Sequence, residues 1–332
     1  MNAPSSPPLL VTGATGCVGS HVCLAARARG LPVRGLVRLT SEAHWLHRLQ
    51  IPVVTADLAS SDPLAAAVDG VTQVIHCAAR LGTGTPRQYR QLHVDGLQRL
   101  LEALSQRGTV RQFVLLSSLG VHALCDHHGT DETVSPAERG LGACLETMVE
   151  AERLTLEWGA AQDVAVTVLR PGLIYGPRER WVLPHLFRRL REQTFRFLGS
   201  GTQQLSNTGI ENLVAAMFLA LESPHACGQV YHITDNPLVT QVEFIGTICA
   251  LAGYPEPRAA LPLAWARLAP KFPRWLRPND EADETEIELR LLGWNRGFSI
   301  ARAQRELGYQ PAVSFADGMR QTIDWYRGQG LL

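Results

Sequence analysis

The chain has 332 residues, 45% hydrophobic and 19% charged, a composition typical of one large or two smaller globular domains. The 31 basic residues balance the 31 acidic ones, so nothing favours a nucleic acid or an anionic membrane as partner. Seven cysteines without a CxxC pair and the lack of a long apolar run predict no metal site, no membrane span and a reducing, cytoplasmic location.

The N-terminal half alternates short apolar strands with longer helices. Strands are predicted at residues 8–12, 32–38, 51–55, 73–79, 112–118 and 164–170. Helices are predicted at residues 16–29, 86–106 and 141–161. Strands that are apolar on both faces and separated by helices indicate a parallel sheet covered on both sides. The predicted fold class is therefore α/β, a Rossmann doubly wound parallel sheet.

After Pro171 the segments become shorter and richer in proline and glycine. One strand is predicted at 228–234, and helices at 239–253, 300–308 and 315–329. Residues 255–280 combine proline and tryptophan with apolar spacing, and we interpret them as a substrate-site wall rather than plain packing or a membrane contact. We expect a main domain at 1–178 with a segment returning near 207–234. Residues 179–332 would mainly form a smaller substrate-binding cap, because ligands of open parallel sheets bind at the carboxyl ends of the strands.

A glycine-rich loop follows the first predicted strand and opens the first helix. In it, Gly13 permits a tight turn, Gly16 lets the backbone approach a pyrophosphate, and Gly19 lets the helix pack closely on the strand. The free N–H groups and partial positive charge of a helix N-terminus suit the phosphates of a dinucleotide. The loop therefore predicts a nicotinamide dinucleotide site, with contacts from Gly13, Thr15, Gly16, Cys17, Val18 and Gly19.

The GxxGxxG spacing after Val11-Thr12 resembles the extended short-chain dehydrogenase/reductase superfamily. The similarity is greatest to its NAD-dependent epimerase/dehydratase, 3β-hydroxysteroid dehydrogenase and dihydroflavonol reductase branches. Matching segments cover almost the whole chain: residues 57–58, 74–79, 92–101 with His93 in place of an asparagine, 113–121, 169–177 (LRPGLIYGP) and 302–325. The resemblance implies a homodimer built on the helices at 86–106 and 141–161. It also implies further cofactor contacts from Asp57, Leu58, Cys77, Ala78, Ala79, Ser117, Met148, Pro171 and Gly172.

The end of the second strand bears on the choice of cofactor. NAD binders usually place an acid there to hold the ribose 2′-hydroxyl. Here the strand ends on Arg38, whose guanidinium suits a 2′-phosphate. We expect NADP(H) to be preferred and NAD(H) to be possible, the alternative being that Arg38 is only solvated.

Relatives transfer a hydride with a serine, a tyrosine and a lysine, and this chain departs from that pattern. Ser118 occupies the serine position, but the tyrosine and lysine positions fall on Cys144 and Met148. Misalignment does not restore the pair, because no tyrosine lies between residues 89 and 175, and the only lysine is Lys271. Cys144 is a candidate for exchanging the proton, the alternative being a small apolar filler. His122 is a candidate for a catalytic or substrate-orienting role, the alternative being a packed or solvent-facing histidine.

Three functions follow from these residues. The first is an enzyme that holds NADP(H) and acts on a small, hydrophobic carbonyl or hydroxyl compound by non-standard catalysis: reduction, isomerisation, elimination or cyclisation. The second is a cofactor-binding pseudoenzyme that serves as a sensor or partner subunit. The third is an ordinary reductase in which the tyrosine and lysine are not essential.

Overall fold

The computed structural model describes residues 7–137, 139–268 and 292–332. The strands are β1 (Leu9–Thr12), β2 (Val33–Val37), β3 (Val53–Thr55), β4 (Gln73–His76), β5 (Gln112–Leu116), β6 (His127–Thr130), β7 (Ala165–Pro171), β8 (Leu173–Tyr175), β9 (Phe197–Leu198), β10 (Gln204–Leu205), β11 (Asn207–Gly209), β12 (Gln229–Ile233), β13 (Val239–Thr240), β14 (Ala260–Leu261) and β15 (Arg296–Phe298). The α-helices are α1 (Cys17–Ala28), α2 (His44–Arg48), α3 (Ala65–Val68), α4 (Pro86–Arg90), α5 (Leu97–Arg107), α6 (Ala143–Gln162), α7 (Leu183–Arg191), α8 (Ile210–Glu222), α9 (Gln241–Ala252), α10 (Leu263–Leu268), α11 (Ala301–Leu307) and α12 (Phe315–Gly328).

A seven-stranded sheet forms the centre of the fold, in the order β12-β7-β5-β4-β1-β2-β3. Every neighbouring pair in it is parallel. The chain winds outward in one direction through β2 and β3 and in the other through β4, β5 and β7. The switch point between β1 and β4 is where doubly wound sheets bind ligands. The predicted Rossmann α/β class is confirmed.

Three apolar clusters account for most of the buried core. One joins α1 and α8 to one face of the sheet, for example through Val22 and Leu213. A second joins α5 and α6 to the other face, for example through Leu101 and Ala151. The third gathers residues from β8 onward, including Phe244. This arrangement is compatible with the predicted division into a main domain and a cap, which remains a prediction.

Two predicted helices begin or run differently in the structure. The helix expected at 86–106 is interrupted by a π-helical turn at Gln91–Gly96. A side chain at Gly96 would place its Cβ 2.5 Å from the Leu58 carbonyl oxygen, so the close approach requires glycine. The helix expected from residue 239 begins at Gln241, because Thr240 and Glu243 form a reciprocal capping box.

The predicted wall at 255–280 is only partly within the described residues, since 269–280 lie outside them. Its described part holds β14, paired in parallel with β9, and α10. Arg267 of α10 contacts Asp126 at 2.7 Å and stacks at 3.8 Å over the ring of Trp294, which ties this segment to the loop before β6. No helix in the described ranges combines the length and apolarity needed to cross a bilayer.

Candidate functional site

The glycine loop lies between the carboxyl end of β1 and the N-terminus of α1. Gly13 has a φ of +63°, and a Cβ there would lie 2.9 Å from the Cys77 carbonyl oxygen. A Cβ on Gly19 would lie 2.3 Å from the Gly13 carbonyl oxygen, so neither position accepts a side chain. Gly16 is the N-cap of α1 without a side-chain cap, and the first turn carries no acid. The N–H groups of this turn are therefore available to an anion.

The buried His76, at the end of β4, lies beside the glycine loop. The imidazole Nδ1 of His76 lies 3.0 Å from the Thr12 hydroxyl oxygen, which also accepts the Ala78 N–H at 3.2 Å. Burial lowers the pKa of His76 to about 3, so the ring is neutral. This pair joins the ends of β1 and β4 and places Cys77 and Ala78 against Gly13.

The ends of β2 and β3 carry the residues predicted near the adenosine. Arg38 is exposed, and its guanidinium forms no ion pair with any acid in the described ranges. Asp57 accepts the Ala59 N–H at 2.8 Å and thereby closes a turn. Leu58 is buried, and its carbonyl oxygen accepts a hydrogen bond from Arg99. The guanidinium of Arg38, unpaired among the described residues, therefore lies beside the turn closed by Asp57, at this end of the sheet.

A buried ion pair lies beneath the end of β5. Arg170 of β7 donates to the two carboxylate oxygens of Glu152 at 2.6 and 2.9 Å, and both side chains are only 5% exposed. The Ser117 hydroxyl donates to the same carboxylate. Ser117 and Met148 also line a cavity of about 20 Å³ with Ala78, Ala79 and His93, among others. The side chain of Ser117 is therefore engaged with protein, whereas its neighbour Ser118 is only half-buried.

Ser118 is the predicted catalytic serine. Its Oγ accepts the Gly120 N–H at 3.0 Å, which leaves the hydroxyl proton free to be donated elsewhere. A Cβ on Gly120 would lie 2.9 Å from Leu145 of α6, so this turn packs directly against the helix that carries Cys144.

Position 144 is held in a ring of hydrogen bonds. The Cys144 thiol donates to the Arg80 carbonyl at 3.4 Å, and the Arg80 N–H donates to His93 Nε2 at 2.9 Å. His93 Nδ1 lies 2.9 Å from the Thr147 hydroxyl oxygen, and that hydroxyl donates to the Cys144 carbonyl at 2.8 Å. Because Nε2 accepts, His93 is neutral with its proton on Nδ1, and burial lowers its pKa. The ring fixes the loop after β4 to α6.

Met148 lies one turn further along α6. It is 7% exposed, on the same face of the helix as Thr147, Ala151 and Glu152. A thioether there supplies no positive charge. Without that charge, position 148 cannot lower the pKa of a tyrosine. An unperturbed phenol, with a pKa near 10, is a poor base at neutral pH.

His122 is buried within the protein and does not face the cleft. Its side chain is 0% exposed, and its Nε2 lies 3.1 Å from His232 Nε2 and 3.4 Å from Arg170 Nη1. Burial, with the neighbouring His232 and Arg170, lowers the pKa of His122 to about 2. Full burial and this lowered pKa favour the packed alternative, and a catalytic or substrate-orienting role for His122 stays a prediction.

The segment after β7 reaches from the sheet to the glycine loop. Pro171 is buried, and the Gly172 N–H donates to the Thr208 hydroxyl at 3.0 Å, so both are packed against β11. Beyond β8, the Cys17 thiol donates to the Pro177 carbonyl at 3.6 Å. Burial raises the pKa of Cys17 to about 12, so the thiol stays protonated. The turn at Pro177 thus crosses the N-terminus of α1.

Trp181 and Leu81 form an apolar surface beside this turn. Their side chains are 46% and 45% exposed. The Trp181 ring rests on the backbone of Gly82, where an added Cβ would lie 1.9 Å from the ring. The backbone carbonyl of Arg80, in the same loop, accepts a hydrogen bond from the Cys144 thiol. This surface is therefore close to position 144, where relatives have the tyrosine. Within the described residues no group of three or more His, Cys, Asp or Glu side chains could hold a metal ion.

Comparison with known proteins agrees with this architecture. A profile of the NAD dependent epimerase/dehydratase family matches residues 9–234. The chain belongs to this family. It is thereby a member of the extended short-chain dehydrogenase/reductase superfamily, as the motifs predicted, and the family is NAD(P)-dependent.

Among family members with known activities, the chain is 30% identical to the 3 beta-hydroxysteroid dehydrogenase/Delta 5-->4-isomerase of Mycobacterium tuberculosis, over 96% of this chain and 90% of that protein. It is 30% identical to the 2-alkyl-3-oxoalkanoate reductase of Stenotrophomonas maltophilia, over 94% and 97%. The fold matches the UDP-glucuronic acid 4-epimerase of Bacillus cereus in complex with NAD, with a TM-score of 0.77, 22% identity and coverage of 97% and 99%.

Sequence reasoning missed several residues that shape the site. Arg80 and Thr147 close the ring around Cys144, and Trp181 approaches from the second half of the chain. His93 was recognisable as a departure from the family asparagine, but its partner Thr147 lies 54 residues away. The sequence therefore marked two members of the ring, His93 and Cys144, and none of the contacts between its members.

Proposed function

We propose that this chain binds NADP(H) along the carboxyl edge of the sheet and acts on a small, hydrophobic carbonyl or hydroxyl compound without a tyrosine–lysine pair. The glycine loop fits the dinucleotide. Gly13 and Gly19 have no room for a Cβ, whereas a Cβ on Gly16 would meet only the Gly13 carbonyl oxygen, at 3.2 Å. The exposed side of Gly16 and the uncapped N-terminus of α1 are thus free to approach a pyrophosphate.

The preference for NADP(H) depends on Arg38. Its exposed guanidinium follows β2 directly and has no acidic partner among the described residues, so it is free to form a bidentate contact with a 2′-phosphate. Asp57 and Leu58 form the facing turn, which we assign to the adenine.

The single observation that carries the non-standard chemistry is the packing of Cys144 and Met148 where relatives need a phenol and an ammonium group. When bound, the nicotinamide supplies or accepts the hydride. Ser118 orients the substrate oxygen, because its hydroxyl proton is free while its Oγ is held by the Gly120 N–H. The proton then comes from solvent, since the Cys144 thiol is engaged by the Arg80 carbonyl and His122 is enclosed.

A hydrophobic substrate is supported by the surface beside the cleft and by the relatives. Leu81 and Trp181 expose nearly half of their apolar side chains beside the loop after β4. The names of two relatives describe a steroid substrate and an alkylated oxoalkanoate. Burying such apolar surfaces yields about 25 cal/mol per Å².

A pseudoenzyme is the second candidate, favoured by the closed hydrogen-bond ring around Cys144. Every polar atom in that ring has a partner within the protein: Cys144, Arg80, His93 and Thr147 satisfy one another. Such a ring stabilises the loop after β4 without any need for a substrate. It would let the chain hold the cofactor as a sensor or a partner subunit.

The test mixes the purified chain with NADPH and a panel of hydrophobic ketones, including 3-ketosteroids and 2-alkyl-3-oxoalkanoates, and follows the absorbance of the reduced nicotinamide. Calorimetric titration of the same sample with NADPH measures binding. Oxidation of NADPH by at least one ketone, reduced in the Ser118→Ala variant, supports the enzyme. Clear binding without turnover of any compound supports the pseudoenzyme, and no binding contradicts both.

We also propose that the chain forms a homodimer through α4, α5 and α6. These helices pack side by side, and Arg90 of α4 donates to Glu150 of α6 at 2.8 and 2.7 Å. A four-helix contact between two copies would extend this layer. A molar mass of one chain in light scattering at micromolar concentration would contradict the proposal.

A further inference from the structure

The turn between β8 and α7 carries an arginine over the N-terminus of α1. Arg178 adopts the left-handed backbone region, with a φ of +68°. It is anchored on one side by the Cys17 thiol, which donates to the Pro177 carbonyl at 3.6 Å. On the other side, Glu179 accepts the N–H groups of Trp181 and Leu183 at 2.6 and 2.7 Å. The position of Arg178 is thus fixed from both neighbours.

The guanidinium of Arg178 stacks at 4.3 Å over the ring of Trp45 in α2. The stack brings the cation from the second half of the chain to the helix that follows β2. No acid in the described ranges forms an ion pair with Arg178. The adjacent Glu179 carboxylate instead accepts the N–H groups of Val182 and Leu183 at the start of α7.

Arg178 lies near a helix terminus, the start of α1, that carries no acid in its first turn. That terminus adds a partial positive charge. His21 stands one turn along the same face, and its Nδ1–H donates to the Cys17 carbonyl at 2.8 Å. Burial, with a contribution from Arg178, lowers the pKa of His21, so this ring is neutral. Burial and the neighbouring Arg180 likewise lower the pKa of Arg178.

We propose that Arg178 binds the pyrophosphate of the dinucleotide from the side opposite the N-terminus of α1, so that the second half of the chain closes over the cofactor. The proposal rests on the proposed dinucleotide site, and it adds a phosphate contact that the glycine loop does not contain. Arg38 and Arg178 then have separate tasks. Arg38 distinguishes the 2′-phosphate, and Arg178 holds the diphosphate that NADP and NAD share.

The experiment titrates the full chain with NADP, NAD and adenosine 2′-monophosphate, which lacks the pyrophosphate, and follows tryptophan fluorescence and heat. Arg178→Ala is expected to weaken NADP and NAD equally, by about 10- to 100-fold, which corresponds to roughly 1.4–2.8 kcal/mol. Binding of adenosine 2′-monophosphate should not change. Arg178→Lys should lie between the wild type and Arg178→Ala, because it keeps the charge but loses the planar stack. Arg48→Ala, which removes an exposed charge from the helix that carries Trp45, is the matched control and should bind like the wild type.

Unchanged NADP and NAD affinities in Arg178→Ala, with the wild type binding both, overturn the inference and leave the proposed function intact. Equal losses in Arg178→Ala and Arg48→Ala also overturn it, because general charge then explains the effect. A wild type that binds neither dinucleotide contradicts the proposed function itself and the inference with it.

Discussion

The buried ion pair between Glu152 and Arg170 makes a quantitative prediction about stability. Each side chain is 5% exposed, and two contacts at 2.6 and 2.9 Å join them. Removing one partner of a buried pair leaves an unpaired charge that costs about 3–5 kcal/mol. Glu152→Ala should therefore lower the free energy of unfolding by about that amount. Glu152→Gln should cost less, because an amide can still accept from Arg170 and Ser117.

Urea denaturation followed by circular dichroism measures this loss from the shift of the midpoint at constant slope. The matched control is Glu157→Ala on the same helix, where Arg153 and Glu157 form an exposed pair at 3.1 Å. Exposed pairs contribute about 0–1 kcal/mol, so this control should remain near the wild type. The double variant Glu152→Leu/Arg170→Met should recover most of the stability, since apolar replacement of a buried pair is often neutral. Equal losses in the free energy of unfolding for Glu152→Ala and Glu157→Ala would show that the buried pair contributes no more than the exposed one.

Three further predictions concern pH, the glycine loop and cofactor choice. Burial lowers the folded-state pKa of His76 to about 3, so the free energy of unfolding is highest above about pH 6.5 and falls by about 1.4 kcal/mol per pH unit as the pH drops below that value. In His76→Phe the urea midpoint should depend less steeply on pH. An identical slope in the wild type and the variant would contradict the lowered pKa. Gly19→Ala should abolish measurable NADPH binding in calorimetry, because its Cβ would lie 2.3 Å from the Gly13 carbonyl oxygen; wild-type affinity would show that the loop tolerates a side chain. Arg38→Ala should weaken NADPH by about 10-fold and leave NADH unchanged, and equal affinities in both proteins would remove the NADP preference.

Local patterns were sufficient for the Rossmann half. The strand, glycine loop and helix at residues 9–28 are adjacent in sequence, so their geometry follows from the apolar run and from the positions that need glycine. The family motifs further along the chain fixed the class of fold. The absence of the tyrosine and the lysine from positions 144 and 148 was also predictable, because it follows from the sequence alone.

Contacts between distant segments were not predictable in the same way. Its position shortly after Ser118 in the sequence makes His122 a catalytic candidate. In the fold it packs against His232, which is 110 residues away. The π-helical turn at Gln91–Gly96 lies where Gly96 closely approaches Leu58, in the turn after β3. Nothing local in the sequence places Arg178 over the ring of Trp45. Burial and tertiary contact decide the roles of these residues, and neither is encoded in local periodicity.

We propose that the chain holds the dinucleotide but lacks the usual proton path. The most direct measurement compares NADPH binding and NADPH oxidation, with the same hydrophobic ketone, in the wild type and in Cys144→Tyr/Met148→Lys. Positioned acid–base catalysis contributes about 10²- to 10⁴-fold. We predict that both proteins bind NADPH within a few-fold of each other and that the double variant oxidises it at least about 100-fold faster. A wild type that binds NADPH and turns it over as fast as the folded, NADPH-binding double variant would contradict the account.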